Sequence, residues 1–202
     1  YPRSDRYCKS DWVMQTATAI YQKYPAFKQQ EVILYAPTYR AGVQFALPAD
    51  FKQLKLRPDQ HLIIKLHPHL AEQERDLQAR YPDLVTLVPE FSTDELLTVA
   101  NTLVSDYSSV VFDYALLPNC QKIVFYVFDW DHYEQEVGLQ ADFRDWAPGP
   151  LVRTVVDLNH VLAMPGAPLQ LTQFNQLWNT RNDGHAIERT LAYFYPRVTK
   201  TA

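Results

Sequence analysis

"LVSDYSSVVFDYALL", residues 103–117, starts as an apolar strand and turns within four residues into a helix. Asp106, Tyr107, Ser108 and Ser109 make the turn, with no glycine among them. A strand that feeds straight into a helix is one half of a parallel-sheet unit, so the fold class depends on whether the pattern recurs. It does. "EVILYAPTYR" (31–40) reads as a hydrophobic strand stopped by Pro37, and "HLIIKLHPH" (61–69) as another stopped by Pro68. A helix over "LAEQERDLQARY" (70–81) follows, then a short strand "LVTLV" (84–88) and a helix "STDELLTVA" (92–100) capped by Ser92. "TLVSD" (102–106), a helix from Ser108 and the strand "KIVFYVF" (122–128) complete the alternation. Near-continuous apolar strands alternating with helices predict an α/β fold, a Rossmann-like doubly wound parallel sheet covered on both faces.

Around this centre, Ser4 is positioned to cap a helix over residues 5–24, with Val13, Ala17, Ile20 and Tyr24 on its apolar face and Pro25 ending it. The tail from Val155 reads as mostly helical, closing with "DGHAIERTLAYFY" (183–195). Residues 41–60, "AGVQFALPADFKQLKLRPDQ", read as a mobile flap or an irregular insertion. Residues 1–202 are expected to form a single globular domain, and the opening "YPRSDR", a turn before a helix, points to excision from a longer protein.

Composition narrows the function classes. A formal net charge of −4 leaves no broad basic face to neutralise nucleic-acid phosphates, so an anionic ligand has to be held locally. The apolar runs are too short to span a bilayer. Cys8 and Cys120 match no metal or redox spacing, which points to a reducing, cytoplasmic setting.

In a doubly wound sheet the ligand crevice lies outside the carboxyl ends of the strands. Those ends present Thr38, Tyr39 and Arg40; His67 and His69; Glu90 and Phe91; Asp106 to Ser109; and Asp129, Asp131 and Tyr133. A helix N-terminus with the Ser108 and Ser109 hydroxyls, Arg40 as a bidentate cation and His67 as a further hydrogen-bond source make a diphosphate cradle without a glycine-rich loop. The plainer reading of a serine or an aspartate at such a place is a helix cap, and it applies to Ser108, Asp129 and Asp131 alike. His67 and His69 lack a carboxylate at matching spacing, so they are not read as a metal pair. Asp113, one turn into the helix, either reaches ribose hydroxyls or caps its own surroundings.

Taken together, "ILYAPTYR", "IIKLHPH", "LVSDYSSVVFDYALL", "VFYVFDWDHY" with the following Gly138, and "APGPLV" resemble, in order and spacing, the CDP-glycerol glycerophosphotransferase family of teichoic-acid polymerases and primases. "YPRSDR" and "NDGHAIER" resemble the segments that open and close its second half. The resemblance implies a GT-B architecture, of which this chain is the C-terminal half that binds the activated donor. It implies transfer of glycerol phosphate, or a related polyol phosphate, from a CDP-activated donor to a hydroxyl of a teichoic-acid-like polymer, releasing CMP.

By the same resemblance Arg40 and His67 stabilise the transition state, and Thr38, Arg40, His67, Ser108, Ser109, Asp113 and Asp129 bind the substrate. The general base, a histidine, and the polymer acceptor belong to the other half, as does any contact with the inner face of the membrane. No cofactor and no metal are implied. Two other readings stay open: the donor half of a UDP-sugar glycosyltransferase or epimerase, and a nucleotide-binding or interaction module without catalysis.

Overall fold

The computed structural model describes residues 2–40, 45–165 and 171–195. Five parallel strands form its sheet: β1 (Glu31–Tyr35), β2 (Gln60–Ile64), β3 (Thr102–Ser105), β4 (Lys122–Tyr126) and β5 (Leu151–Val152), in the order β2-β1-β3-β4-β5. In register, Ile33 lies opposite Leu62 on one side and Thr102 on the other. β3 pairs with β4 from Thr102 opposite Lys122 to Ser105 opposite Phe125.

Alternate residues of each strand feed two separate cores, as a two-residue period demands. Val32, Leu34, Leu103, Ile123 and Phe125 join Ile20 and Val111 on one face. Ile33, Tyr35, Val104, Val124 and Tyr126 join Phe51, Leu77 and Leu158 on the other. Both faces being covered explains why the strands read as unbroken apolar runs.

The helices are α1 (Ser10–Lys23), α2 (Ala71–Arg80), α3 (Thr93–Leu96), α4 (Val110–Tyr114), α5 (Trp130–Glu136), α6 (Phe143–Trp146), α7 (Val155–Ala163), α8 (Thr172–Trp178) and α9 (Ala186–Phe194). α3 begins with the expected capping box: the Ser92 hydroxyl accepts from the Glu95 N–H, and the Glu95 carboxylate accepts from the Ser92 N–H.

Four details of the sequence reading are corrected. The first helix does not start at Ser4: Pro2–Cys8 winds as a 3-10 helix, and α1 starts at Ser10 after Lys9 in an extended conformation. The stretch 84–88 is no strand. Bounded by Pro82 and Pro89, it makes a single bridge, Val85 to Leu62. The fifth strand is instead the two-residue β5, held by Phe125 N–H to the Pro150 carbonyl and Val127 N–H to the Val152 carbonyl, both 2.9 Å. α3 covers four residues rather than nine, because Leu97–Val99 continues as turns.

In the insertion, residues 41–44 lie outside the described set. Its remainder is irregular with a 3-10 turn at Ala49–Gln53, and it buries Phe51 and Leu54 in the second core. The connection from β1 leads outward to β2, and the chain then returns to the far side of β1 at β3. The strand order thus reverses direction at β1 and β3, the place where open α/β sheets bind ligands.

Candidate active site at the carboxyl edge of the sheet

The loops after β1 and β3 are tied by one carboxylate. Asp106 Oδ1 accepts from the Thr38 N–H at 2.7 Å, from the Thr38 hydroxyl at 2.5 Å and from the Tyr107 N–H at 2.7 Å. Just below, the Ser105 hydroxyl donates to the Ala36 carbonyl at 2.7 Å. Asp106 is 3% exposed. Burial pushes its pKa above the ordinary carboxylate range, against the opposing pull of the Thr38 and Tyr107 donors and the Arg40 charge.

Arg40 sits at the centre. Its Nη1 pairs with Asp129 Oδ2, its Nη2 lies 3.7 Å from Asp106 Oδ2, and its guanidinium carbon lies 4.9 Å from the centre of the Tyr133 ring. The Tyr107 hydroxyl donates to the other oxygen of Asp129 at 3.3 Å, and its ring lies flat against Tyr133. Burial works to lower the Arg40 pKa, but the hydrogen bond and charge of Asp129 and the charge of Asp106 outweigh it. The guanidinium is therefore a fixed, permanent cation with a quarter of its side chain still open.

Two cavities flank this group. A small one of about 180 Å³ touches Thr38, Arg40, Asp106, Phe128, Asp129 and His132. A larger one of about 760 Å³ runs from Ser108, Ser109 and Asp113 to an aromatic wall containing Phe112, Trp146 and Trp178. Its volume is that of a typical small-molecule site. Tyr107 and Tyr133 line the large cavity and touch Asp129 and Arg40 in the small one, so the two spaces share a wall.

The structure thus brings Thr38, Arg40 and Asp129 together, and Ser108, Ser109 and Asp113 beside them. Ser108 is half-buried and its hydroxyl accepts from the Val110 N–H at 3.4 Å; Ser109 is exposed. The helix they open, α4, has only five residues, and a helix terminus contributes about 0.3–1 kcal/mol to an anion. A hydrogen bond to a charged group contributes about 1.5–3 kcal/mol, more than the terminus of so short a helix. Asp113 is buried and ion-paired with Arg3 at 2.5 Å. Burial raises its pKa, with the Arg3 charge pulling the other way.

His67 stands apart from both cavities, exposed and stacked on Tyr39 at 4.4 Å between ring centres. Its Nδ1 accepts from the His69 N–H at 3.3 Å, so the neutral ring carries its proton on Nε2 and presents a donor there. Among the described residues no group of three or more His, Cys, Asp and Glu is arranged to hold a metal ion.

Asp106, Tyr107 and Tyr133 belong to the centre, although reading by residue type left them at strand ends without a role. Asp106 carried the available signal: a charged residue directly behind a fully buried strand has to be bonded to something.

A family model described as CDP-glycerol:poly(glycerophosphate) glycerophosphotransferase matches residues 1–195. The teichoic acid ribitol-phosphate primase of Bacillus spizizenii is 27% identical over 210 residues, covering 100% of this chain and 53% of that protein. The teichoic acid glycerol-phosphate primase of the same organism is 30% identical over 200 residues, covering 95% of this chain and 50% of that protein.

Among solved structures, the wall teichoic acid polymerase TagF matches with a TM-score of 0.65 at 23% identity, over 94% of this chain and 48% of that one. A histidine variant of TagF soaked with CDPG matches with a TM-score of 0.58 at 22% identity, over the same shares of the two chains. At such identities the likeness speaks for the fold. The chain spans about half the length of the curated relatives it matches. With the family model running over nearly its whole length, the chain belongs to the CDP-glycerol:poly(glycerophosphate) glycerophosphotransferase family.

Proposed function

We propose that this chain is the donor-binding half of a GT-B enzyme that transfers glycerol phosphate, or a related polyol phosphate, from a CDP-activated donor to a hydroxyl of a teichoic-acid-like polymer. The observation that carries the reading is the fixed cation Arg40, which lines the small cavity with Thr38, while Ser108 and Ser109 line the larger cavity adjoining it. Family membership supplies the chemistry.

In this reading the acceptor oxygen forms a bond to the β-phosphorus of the donor while the bond from that phosphorus to the bridging oxygen breaks. CMP leaves with the bridging electrons, and the acceptor proton passes to a base on the other half of the enzyme. Charge grows on the bridging and non-bridging oxygens, where the Arg40 guanidinium and the Ser108 and Ser109 hydroxyls stabilise it; the His67 Nε2–H, outside both cavities, acts only on a part of the ligand that extends to the rim. Thr38 supports the Arg40 loop. Asp113 accepts from ribose hydroxyls in competition with Arg3, and Asp129 faces the polyol end.

The relatives named as a ribitol-phosphate primase and a glycerol-phosphate primase support a polyol-phosphate donor, and the CDPG soak of TagF supports a cytidine one. Two unpaired cysteines, and no helix among the described residues long and apolar enough to cross a membrane, support a cytoplasmic domain. Attachment to the inner face of the membrane is assigned to the remainder of the longer protein.

Calorimetric titration tests the proposal. CDP-glycerol is expected to bind more tightly than CMP or UDP-N-acetylglucosamine, and Arg40→Ala to weaken it about 10- to 100-fold, the equivalent of one charged hydrogen bond. Ser108→Ala should weaken it less. Equal binding of the three ligands, or affinity unchanged in Arg40→Ala, would return the chain to the UDP-sugar or the non-catalytic reading.

A further inference from the structure

The structure assigns to Asp106 a role beyond tying loops together: we infer that it is the positioning residue that keeps Arg40 aimed at the diphosphate once Asp129 has let go. The inference rests on the proposed function, since it concerns how the same cation meets its ligand.

The two oxygens of Asp106 do different work. Oδ1 is saturated by three donors, two from Thr38 and one from Tyr107, which suffices to join the loops after β1 and β3. Oδ2 takes none of those bonds and faces the Arg40 guanidinium at 3.7 Å, beyond hydrogen-bond reach and within ion-pair distance. Arg40 has a closer partner in Asp129, which takes an N–H directly. An incoming phosphate competes for that N–H, so Asp129 is the contact a ligand displaces. Asp106 consumes none of the guanidinium N–H groups, and its side chain is 4% exposed against 16% for Asp129, so it stays in place when the ligand arrives. Its charge acts at short range in a poorly screened setting and leaves the whole fork of Arg40 free for phosphate oxygens.

A loop tie alone would not need the charge. Asparagine offers the same Oδ1 acceptor to Thr38 and Tyr107 but places an amide NH₂ where Oδ2 faces Arg40, so Asp106→Asn removes one role and keeps the other.

The experiment is a double-mutant cycle on the whole chain, titrating CDP-glycerol into the wild type, Asp106→Asn, Arg40→Ala and the double variant, with denaturant melts of each. The expected result is a loss of about tenfold in affinity for Asp106→Asn when Arg40 is present and no further loss when it is absent, because the effect passes through the guanidinium. Nitrogen-15 spectra of the ligand-free protein should show faster rotation of the Arg40 guanidinium in Asp106→Asn.

An additive loss in the double variant, or full affinity in Asp106→Asn, would overturn the inference and leave the proposed function standing. Unchanged affinity in Arg40→Ala alone would overturn both. Should Asp106→Asn fail to fold, Asp106→Glu, which keeps the charge and displaces it, enters the same cycle with the same expectation.

Discussion

The rings of Tyr107 and Tyr133 lie 3.8 Å apart at 11° to each other, a closer and flatter stack than the other ring pairs around them. One residue follows β3 and the other lies on α5, so the stack fixes the distance between two loops that both reach Arg40. Tyr107→Phe keeps the stack and loses only the hydroxyl contact to Asp129. One hydrogen bond is worth about 0.5–1.5 kcal/mol, so affinity for CDP-glycerol is expected to fall about 2- to 10-fold. Tyr133→Leu removes the stack and the cation–π contact together and should cost more. Titration calorimetry checks both, and an affinity untouched by Tyr133→Leu would reduce the tyrosine pair to ordinary core.

Lys65 and Glu74 form a buried ion pair at 3.2 Å just before the His67 loop. Glu74 also accepts from the Leu66 N–H at 2.8 Å, and Lys65 donates to the Val88 carbonyl at 3.2 Å. Removing one partner strands the other in the interior. Glu74→Ala is therefore expected to lower stability by about 3–5 kcal/mol, whereas Lys65→Met with Glu74→Leu should cost far less. Urea denaturation measures both; similar losses in the single and double variants would mean that the pair is solvated.

The strands that were legible in the sequence, β1 to β4, share a cause: each is buried on both faces and ends near a proline or a charged turn. β5 has two residues and pairs through carbonyls next to Pro150, leaving no run to read. The stretch 84–88 has the run, but Pro82 and Pro89 on either side leave it a single bridge to Leu62. Candidate residues at strand ends followed from topology alone, and Thr38, Arg40 and Asp129 do converge. What residue types could not disclose is pairing across distance: Arg40 meets Asp129 89 positions along the chain, and Arg3 meets Asp113 110 positions along. His67 illustrates the reverse, a strand-end residue that the local turn at Pro68 sends to the rim rather than into either cavity.

Gly149 explains why a small residue stands in "APGPLV". A Cβ there would lie 2.0 Å from the carbonyl oxygen of Ile123, a backbone atom inside the sheet. Gly149→Ala must push β5 away from β4, and overpacking of this kind costs about 1–3 kcal/mol. A fall of several degrees in melting temperature is expected, at about 2–4 °C per kcal/mol for a chain of this size. A melting curve that overlays the wild type would show that the β4–β5 edge yields freely.

Asp5 joins the two ends of the chain and sets a pH dependence. Its carboxylate accepts from the Ala186 N–H at 2.9 Å and the Ile187 N–H at 2.7 Å, capping α9 from 181 positions away while only 2% exposed. Burial alone would raise its pKa, but the two backbone donors prevail and hold it below the ordinary carboxylate value. A carboxylate whose pKa is lower in the folded state binds fewer protons there than when unfolded. Its stabilisation is complete above the unfolded pKa of about 4 and is lost as pH falls through the depressed folded value. Asp106 and Asp113, whose pKa values are raised, act in the opposite sense, so the whole-protein curve mixes the two. The difference between wild type and Asp5→Asn isolates the cap. At neutral pH it should be about 1–3 kcal/mol, with faster amide exchange along α9, and it should shrink steadily below about pH 4. Denaturant melts across that range decide the matter: a gap that persists undiminished into strong acid would mean that Asp5 holds α9 by shape rather than by charge.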